Sequence, residues 1–287
     1  MRPNSLRAIA APDFDLARTL DSGQVFHWEK HGVGYVGTIG EKGAYVEQRA
    51  DRLFFSGVSA KIIAQYFALD HPLGEICRSF PDDPAMGAAR DFCAGLRIIR
   101  QPLWECLATF ITSSMKQVAH IRQMSRTLRI RYGKRESVKD CEAHSFPTAH
   151  RIAELTEPAL RECALGYRAK NLLATSRLVA SGEANLEAWE NLSDESLRAR
   201  LCELPGVGAK VANCVMLFAY ERLRAFPIDV WIERILKQEY FPRKRKVTPT
   251  QLRAFCETYF GEHGGYAQQY LFHHARKGGA APSEARK

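Results

Sequence analysis

Lys210 and Asp229 are the residues whose types and surroundings best suit covalent chemistry. Lys210 follows a Pro-Gly-x-Gly turn in "LPGVGAK", residues 204–210, and Asp229 closes the apolar run "RAFPID". A lysine attacks only through its neutral amine, and an unperturbed one, with pKa about 10.4, is neutral roughly once in two thousand at pH 7. Burial or nearby positive charge must raise that fraction. The first turn of a helix helps, because the positive end of the helix dipole disfavours a protonated amine. An idle lysine sits more comfortably at the other end. Asp229 stands where the next helix opens and offers a carboxylate to balance positive charge on a substrate. It also has the form of an ordinary N-cap, and the two roles are compatible. Taken alone, Lys210 equally fits a solvated lysine beside a helical turn.

The turn itself suggests a ligand. Gly206 and Gly208 expose backbone amides where the second helix begins, and such amides favour an anion. They suit a phosphate of a nucleic-acid backbone, which they position without reading sequence. A compact helix–helix turn with glycines for steric reasons accounts for the same residues. Asn213 and Cys214 lie three and four residues beyond Lys210 and share its helical face.

Charge points the same way. The chain of 287 residues carries a formal charge of +9, which favours nucleic acid, anionic surfaces or acidic partners. "FPRKRKVTP" is its densest basic run, and Arg243, Lys244, Arg245 and Lys246 there suit either a solvated loop or flanking phosphates. The eight cysteines form no C-x-x-C pair, so neither a zinc site nor an iron–sulfur cluster is expected, and no cofactor is implied. Reduced thiols are expected. No segment reaches the apolar length of a membrane span. The first twenty residues have no sustained apolar core before Asp13 and Asp15, so no secretory signal is expected. The expected location is cytoplasmic, nucleoid-associated in a bacterium and nuclear in a eukaryote.

The elements that must position these residues form an α+β chain. "QVFHW", "GYVGTIG", "GAYVEQ" and "RLFFSG" are short, rich in β-branched and aromatic residues, and separated by glycine or charge. They predict an antiparallel sheet over residues 23–57. From "SAKIIAQYFAL" onward the apolar spacing is helical. "SDESLRARLCELPGVGAKVANCVMLFAY" predicts helix, hairpin, helix, with Leu197, Leu201 and Leu204 on one apolar stripe and Val211, Val215 and Phe218 on the other. Ser193 is placed to cap the first helix, and Thr248 with Gln251 has the form of a capping box. The expected divisions are an N-terminal sheet domain over 1–90, a helical domain over 91–276 and a disordered tail over 277–287.

Together, "LPGVGAKVANC" and "FPIDVWIER" resemble the helix–hairpin–helix DNA glycosylase superfamily, with its Gly/Pro-rich loop and aspartate. "LDSGQVFHW", "ECLATFITSSMKQVAHI", "LGYRAKNL" and "GYAQQYLF" are similar, in order, to blocks of the eukaryotic-type 8-oxoguanine DNA glycosylase/AP lyases. The resemblance spans roughly residues 14–276. It implies a bifunctional repair enzyme that flips the oxidised base out of duplex DNA, with Lys210 as nucleophile and Asp229 as its electrostatic partner. The resemblance gives Gly23 the carbonyl that accepts from N7–H of 8-oxoguanine, a hydrogen that guanine lacks. It sets Phe272 and Cys214 on the two faces of the base and Gln268 on its Watson–Crick edge. It places Tyr167, followed by Arg168, beside the flipped-out position.

Three matching positions depart from the eukaryotic pattern. Met115 stands for an asparagine that fills the gap opposite cytosine, His120 for an arginine that reads that cytosine, and Trp231 for a histidine two residues after the aspartate. A methionine is a serviceable apolar wedge but offers cytosine no donor, so weak discrimination of the opposite base is expected. The expected partner is double-stranded DNA containing 8-oxoguanine, bound by a monomer. Two other functions fit parts of the pattern: a glycosylase of the same superfamily for another damaged purine, and a non-catalytic protein that uses the hairpin as a phosphate clamp. The first leaves Lys210 and Gly23 without a task, and the second leaves Lys210 and Asp229 together unexplained.

Overall fold

The computed structural model describes residues 6–114, 116–244 and 246–278. Met115, Arg245 and the tail expected to be disordered, beyond residue 278, lie outside the described residues. Five strands form an antiparallel sheet in the order β1-β5-β4-β3-β2. They are β1 (Arg7–Ala10), β2 (Glu29–His31), β3 (Gly34–Ile39), β4 (Lys42–Arg49) and β5 (Arg52–Ser56). Alternation along β4 serves two cores at once. Ala44 and Val46 face Leu53, Phe55, Ile63 and Phe67 on one side. Tyr45 faces Val36, Val138 and Ala143 on the other.

Val138 and Ala143 belong to a second sheet that lies within the region expected to be helical. Strands β6 (Arg135–Val138) and β7 (Cys141–His144) form a hairpin that covers the outer face of the main sheet. A second difference concerns residues 24–28, expected as a strand, which join no sheet. Side chains take the place of a neighbouring strand there. The Gln24 amide donates to Arg97 O at 2.8 Å and accepts from Ile99 N at 2.7 Å, while Gln24 O accepts from Gln101 Nε2 at 2.7 Å. This segment is thereby sewn to the strip that leads into the helical body.

The apolar core changes hands after the helix Ala60–Tyr66. Ile63, Tyr66 and Phe67 pack under the sheet, whereas Leu73, Ile76, Met86 and Ala89 already belong to the helical core. Residue 90 lies inside the helix Pro84–Phe92, which packs on the C-terminal helix Gly264–Lys277. At the centre runs the helix Leu103–Ser113, buried on every side from Glu105 onward. Tyr270 Oη donates to Leu96 O at 2.9 Å and Tyr266 Oη accepts from Ile98 N at 3.2 Å, so the C-terminal helix is pinned to the strip between the two cores. Among the described residues no helix is long and apolar enough to cross a membrane.

Candidate active site

The hairpin forms where the glycines fall. Ser193 caps the helix Asp194–Glu203, accepting from Ser196 N at 3.2 Å. Leu197, Leu201, Leu204, Val211, Val215 and Phe218 are all buried, as the two stripes require. Gly206 has φ +84, and a Cβ there would stand 2.8 Å from Asn171 Cβ. Only glycine fits that position. Gly208 has no such internal reason, since a Cβ there meets nothing. It is the exposed N-cap of the helix Ala209–Phe218, which has no side-chain cap. Its first amides are therefore available to an anion.

Lys210 and Asp229 line one cavity together with Gly23, Cys214, Gln268 and Phe272. Lys210 Nζ lies 5.2 Å from the centroid of the Phe110 ring, over its face. Among the described residues no carboxylate forms an ion pair with it. Burial pushes the Cys214 thiol up to about 11, against the pull of the Lys210 amine beside it. Asp229 caps the helix Val230–Ile235 through Oδ1, which accepts from Ile232 N at 2.8 Å. Burial raises its carboxyl above the ordinary 3.8, against the Ile232 N–H and the Lys210 amine. The cap therefore also sets a carboxylate in the cavity that Lys210 lines.

Gly23, Gln268 and Phe272, the residues expected to meet the base, come from opposite ends of the chain. Gly23 has φ +88, and a Cβ there would stand 3.0 Å from Phe272 Cε1. Its neighbours' carbonyls are all engaged: Asp21 O by Arg276 Nη2, Ser22 O by Gln269 Nε2 at 2.8 Å, and Gln24 O by Gln101. Gly23 O alone in this run has no partner among the described residues. Gln268 is buried, and its Oε1 also lacks a partner. Both are acceptors without a protein partner in a cavity lined largely by aromatic and apolar groups. The cavity has a volume of about 40 Å³. That is water-sized space, so a purine enters only when Phe272 or its neighbours move.

Four further residues line the cavity without having been expected there: Phe110, Phe218, Pro227 and Gln269. Phe110 and Phe218 stack at 5.4 Å and 11° and form its floor. Phe110 sits within "ECLATFITSS", a block whose apolar residues gave no sign of which would face a ligand. Asn213, on the face of Lys210, donates instead to Ala209 O at 2.9 Å and does not line the cavity. The expected DNA-contact residues His120, Tyr167 and Trp231 are exposed and lie outside it. Arg168 is buried, with its guanidinium donating to Ser114 O and Leu165 O. In this structure it braces the turn that leads to Met115. Arg243, Lys244 and Lys246 are exposed. A larger cavity, about 830 Å³, lies between the sheet and the helix Val118–Tyr132. Its arginines are already neutralised: Arg122 by Asp21, Arg126 by Glu29 and Arg129 by Glu105.

Comparison with known proteins agrees with this geometry. Residues 8–107 match the 8-oxoguanine DNA glycosylase N-terminal domain family. Residues 108–261 match the HhH-GPD superfamily of base excision DNA repair proteins. The N-glycosylase/DNA lyase OGG1 of Arabidopsis thaliana is 30% identical over 91% of this chain and 77% of its own. A Clostridium acetobutylicum 8-oxoguanine glycosylase/lyase, bound to duplex DNA with cytosine opposite 8-oxoguanine, superposes with a TM-score of 0.88 at 30% identity. That match covers 97% of this chain and 99% of the other. MBOgg1 bound to a low-affinity DNA ligand gives a TM-score of 0.91 at 31% identity, over 97% and 98% of the two chains. On these matches the chain belongs to the 8-oxoguanine DNA glycosylase/lyase family of the HhH-GPD superfamily of base excision DNA repair proteins.

Proposed function

We propose that this protein excises 8-oxoguanine from duplex DNA as a monomer and then cuts the strand at the abasic site. The observation that carries this reading is the convergence of Lys210, Asp229, Gly23, Cys214, Gln268 and Phe272 on one cavity. The lesion must leave the base stack, since C1′ is out of reach inside the duplex. Gly23 O accepts the N7–H that distinguishes 8-oxoguanine from guanine. Guanine leaves that acceptor buried and unpaired, at a cost of about 1–3 kcal/mol. Lys210 Nζ attacks C1′ as the glycosidic bond breaks and its electrons leave with the base. The Asp229 carboxylate balances the positive charge that develops on the sugar. Loss of an amine proton and opening of the ring give an iminium between Lys210 and the sugar. Removal of a C2′ proton then expels the 3′ phosphate. No metal takes part in these steps.

Single-turnover assays on duplexes with 8-oxoguanine or guanine at one site test the reading. Release of 8-oxoguanine with an unsaturated sugar on the 3′ end of the cut strand is the expected result. Base release with an intact abasic strand indicates a purely hydrolytic glycosylase. Binding without release indicates a phosphate clamp.

A further inference from the structure

The C-terminal helix presents one more residue at the spacing that aligns Gln268 with Phe272. Arg276 lies four residues beyond Phe272, so the three share a helical face. Its guanidinium carbon is 5.6 Å from the Phe272 ring centroid. Its Nη2 donates to Asp21 O, two residues before Gly23. Its Nη1 lies 3.3 Å from where a Cβ of Gly23 would be. One side chain therefore touches both the ring expected to stack on the base and the segment that carries the Gly23 carbonyl.

Asp21 holds this contact from the other side. Its carboxylate takes Arg122 Nη2 at 2.9 Å and Lys277 Nζ at 2.8 Å. Asp21 thus joins the helix Leu16–Asp21, the helix Val118–Tyr132 and the end of the C-terminal helix. These ion pairs are partly exposed and worth little as stabilisers. Their geometric effect is specific, because residues 22–24, which follow that helix, have no strand neighbour and keep their path through side-chain hydrogen bonds among the described residues.

We propose that Arg276, seated on Asp21, is a positioning residue that sets the distance between the Gly23 carbonyl and the Phe272 ring, and through it the preference for 8-oxoguanine over guanine. The proposal rests on the function given above. Arg276 touches the base pocket and not the nucleophile, so base-dependent excision and base-independent strand cutting respond differently to its loss.

The test compares wild type, Arg276→Met, Arg276→Lys and Asp21→Asn on an 8-oxoguanine duplex, a guanine duplex and a preformed abasic duplex. Arg276→Met is expected to lower 8-oxoguanine excision about tenfold, the effect of one misplaced buried hydrogen bond. Its ratio to guanine excision falls, while cutting of the abasic duplex stays within about twofold. Arg276→Lys recovers part of the ratio, and Asp21→Asn shifts it in the same direction by less. An unchanged ratio in Arg276→Met overturns the proposal. So does a proportional loss of excision and abasic cutting in both Arg276 variants, which marks a merely structural arginine. If wild type cuts neither damaged duplex, the functional reading itself fails and the clasp with it. If wild type cuts both while Arg276→Met keeps its preference, the clasp alone fails.

Discussion

Two groupings of charge, one buried and one half-buried, both set against the central helix Leu103–Ser113, are wired in opposite ways. In the first, Arg129 uses every arm: Glu105 takes Nη2, Thr38 Oγ1 and His144 O take Nη1 at 2.9 and 3.1 Å, and Ser125 Oγ takes Nε at 3.3 Å. His27 donates to Thr38 O at 2.9 Å, and burial, with the Arg129 charge adding, holds its pKa well below the ordinary value. Burial raises the Glu105 carboxyl, with Arg129 opposing. In the second, Lys210 has an aromatic face and a thiol for company, and Asp229 leans on the start of its own helix. Gly23 O and Gln268 Oε1 have no partner among the described residues. A satisfied buried polar group holds the fold, whereas an unsatisfied acceptor that lines a cavity is open to a ligand.

Breaking the first grouping is expected to have the larger effect on stability. Arg129→Met strands the Glu105 carboxylate in the core and should cost about 3–5 kcal/mol, seen as a fall in Tm. Lys210→Gln should change stability by about 1 kcal/mol or less. Equal losses in the two variants would erase the distinction.

The second grouping should answer in rate instead. Asp229→Asn keeps a good N-cap and should leave the fold intact while lowering excision roughly a hundredfold. The raised carboxyl of Asp229 adds a pH signature. Activity needs the ionised form, so the acid limb of the excision profile should lie above the ordinary 3.8 and disappear in Asp229→Asn. Gly23→Ala pushes a methyl to 3.0 Å from Phe272 Cε1 at a φ of +88. Excision of 8-oxoguanine should fall about tenfold, with abasic cutting much less affected.

How far the sequence carried differs between these regions for physical reasons. Lys210 and Asp229 stood out through a local turn and cap, whereas Gly23, Gln268 and Phe272 were named only through the resemblance; all five line one cavity. The hairpin β6–β7 was not legible, because "KRESVKDCEAH" is charged and its apolar residues Val138 and Ala143 meet a distant sheet. Its turn residues Lys139 and Asp140 both have positive φ, at 47° and 60°. That is a two-residue turn normally signalled by Asn-Gly or Asp-Gly. "QVFHW" misled in the other direction. Its β-branched and aromatic residues reflect consecutive burial of Val25 and Phe26 without a strand partner among the described residues. Arg129 and Glu105 were invisible as a pair, since only tertiary packing joins them.

The smallest expected effect concerns the base opposite the lesion. With Met115 and His120 at the positions that would read cytosine, excision of 8-oxoguanine opposite each of the four bases should vary within about tenfold. A steep preference for cytosine would place its reading on other residues.

Borohydride trapping on an 8-oxoguanine duplex, followed by mass mapping of the cross-linked peptide, tests the central claim most directly. The account predicts an adduct on Lys210, absent in Lys210→Gln although that variant stays folded and binds the duplex. An adduct on another residue, or one that persists in Lys210→Gln, would contradict it.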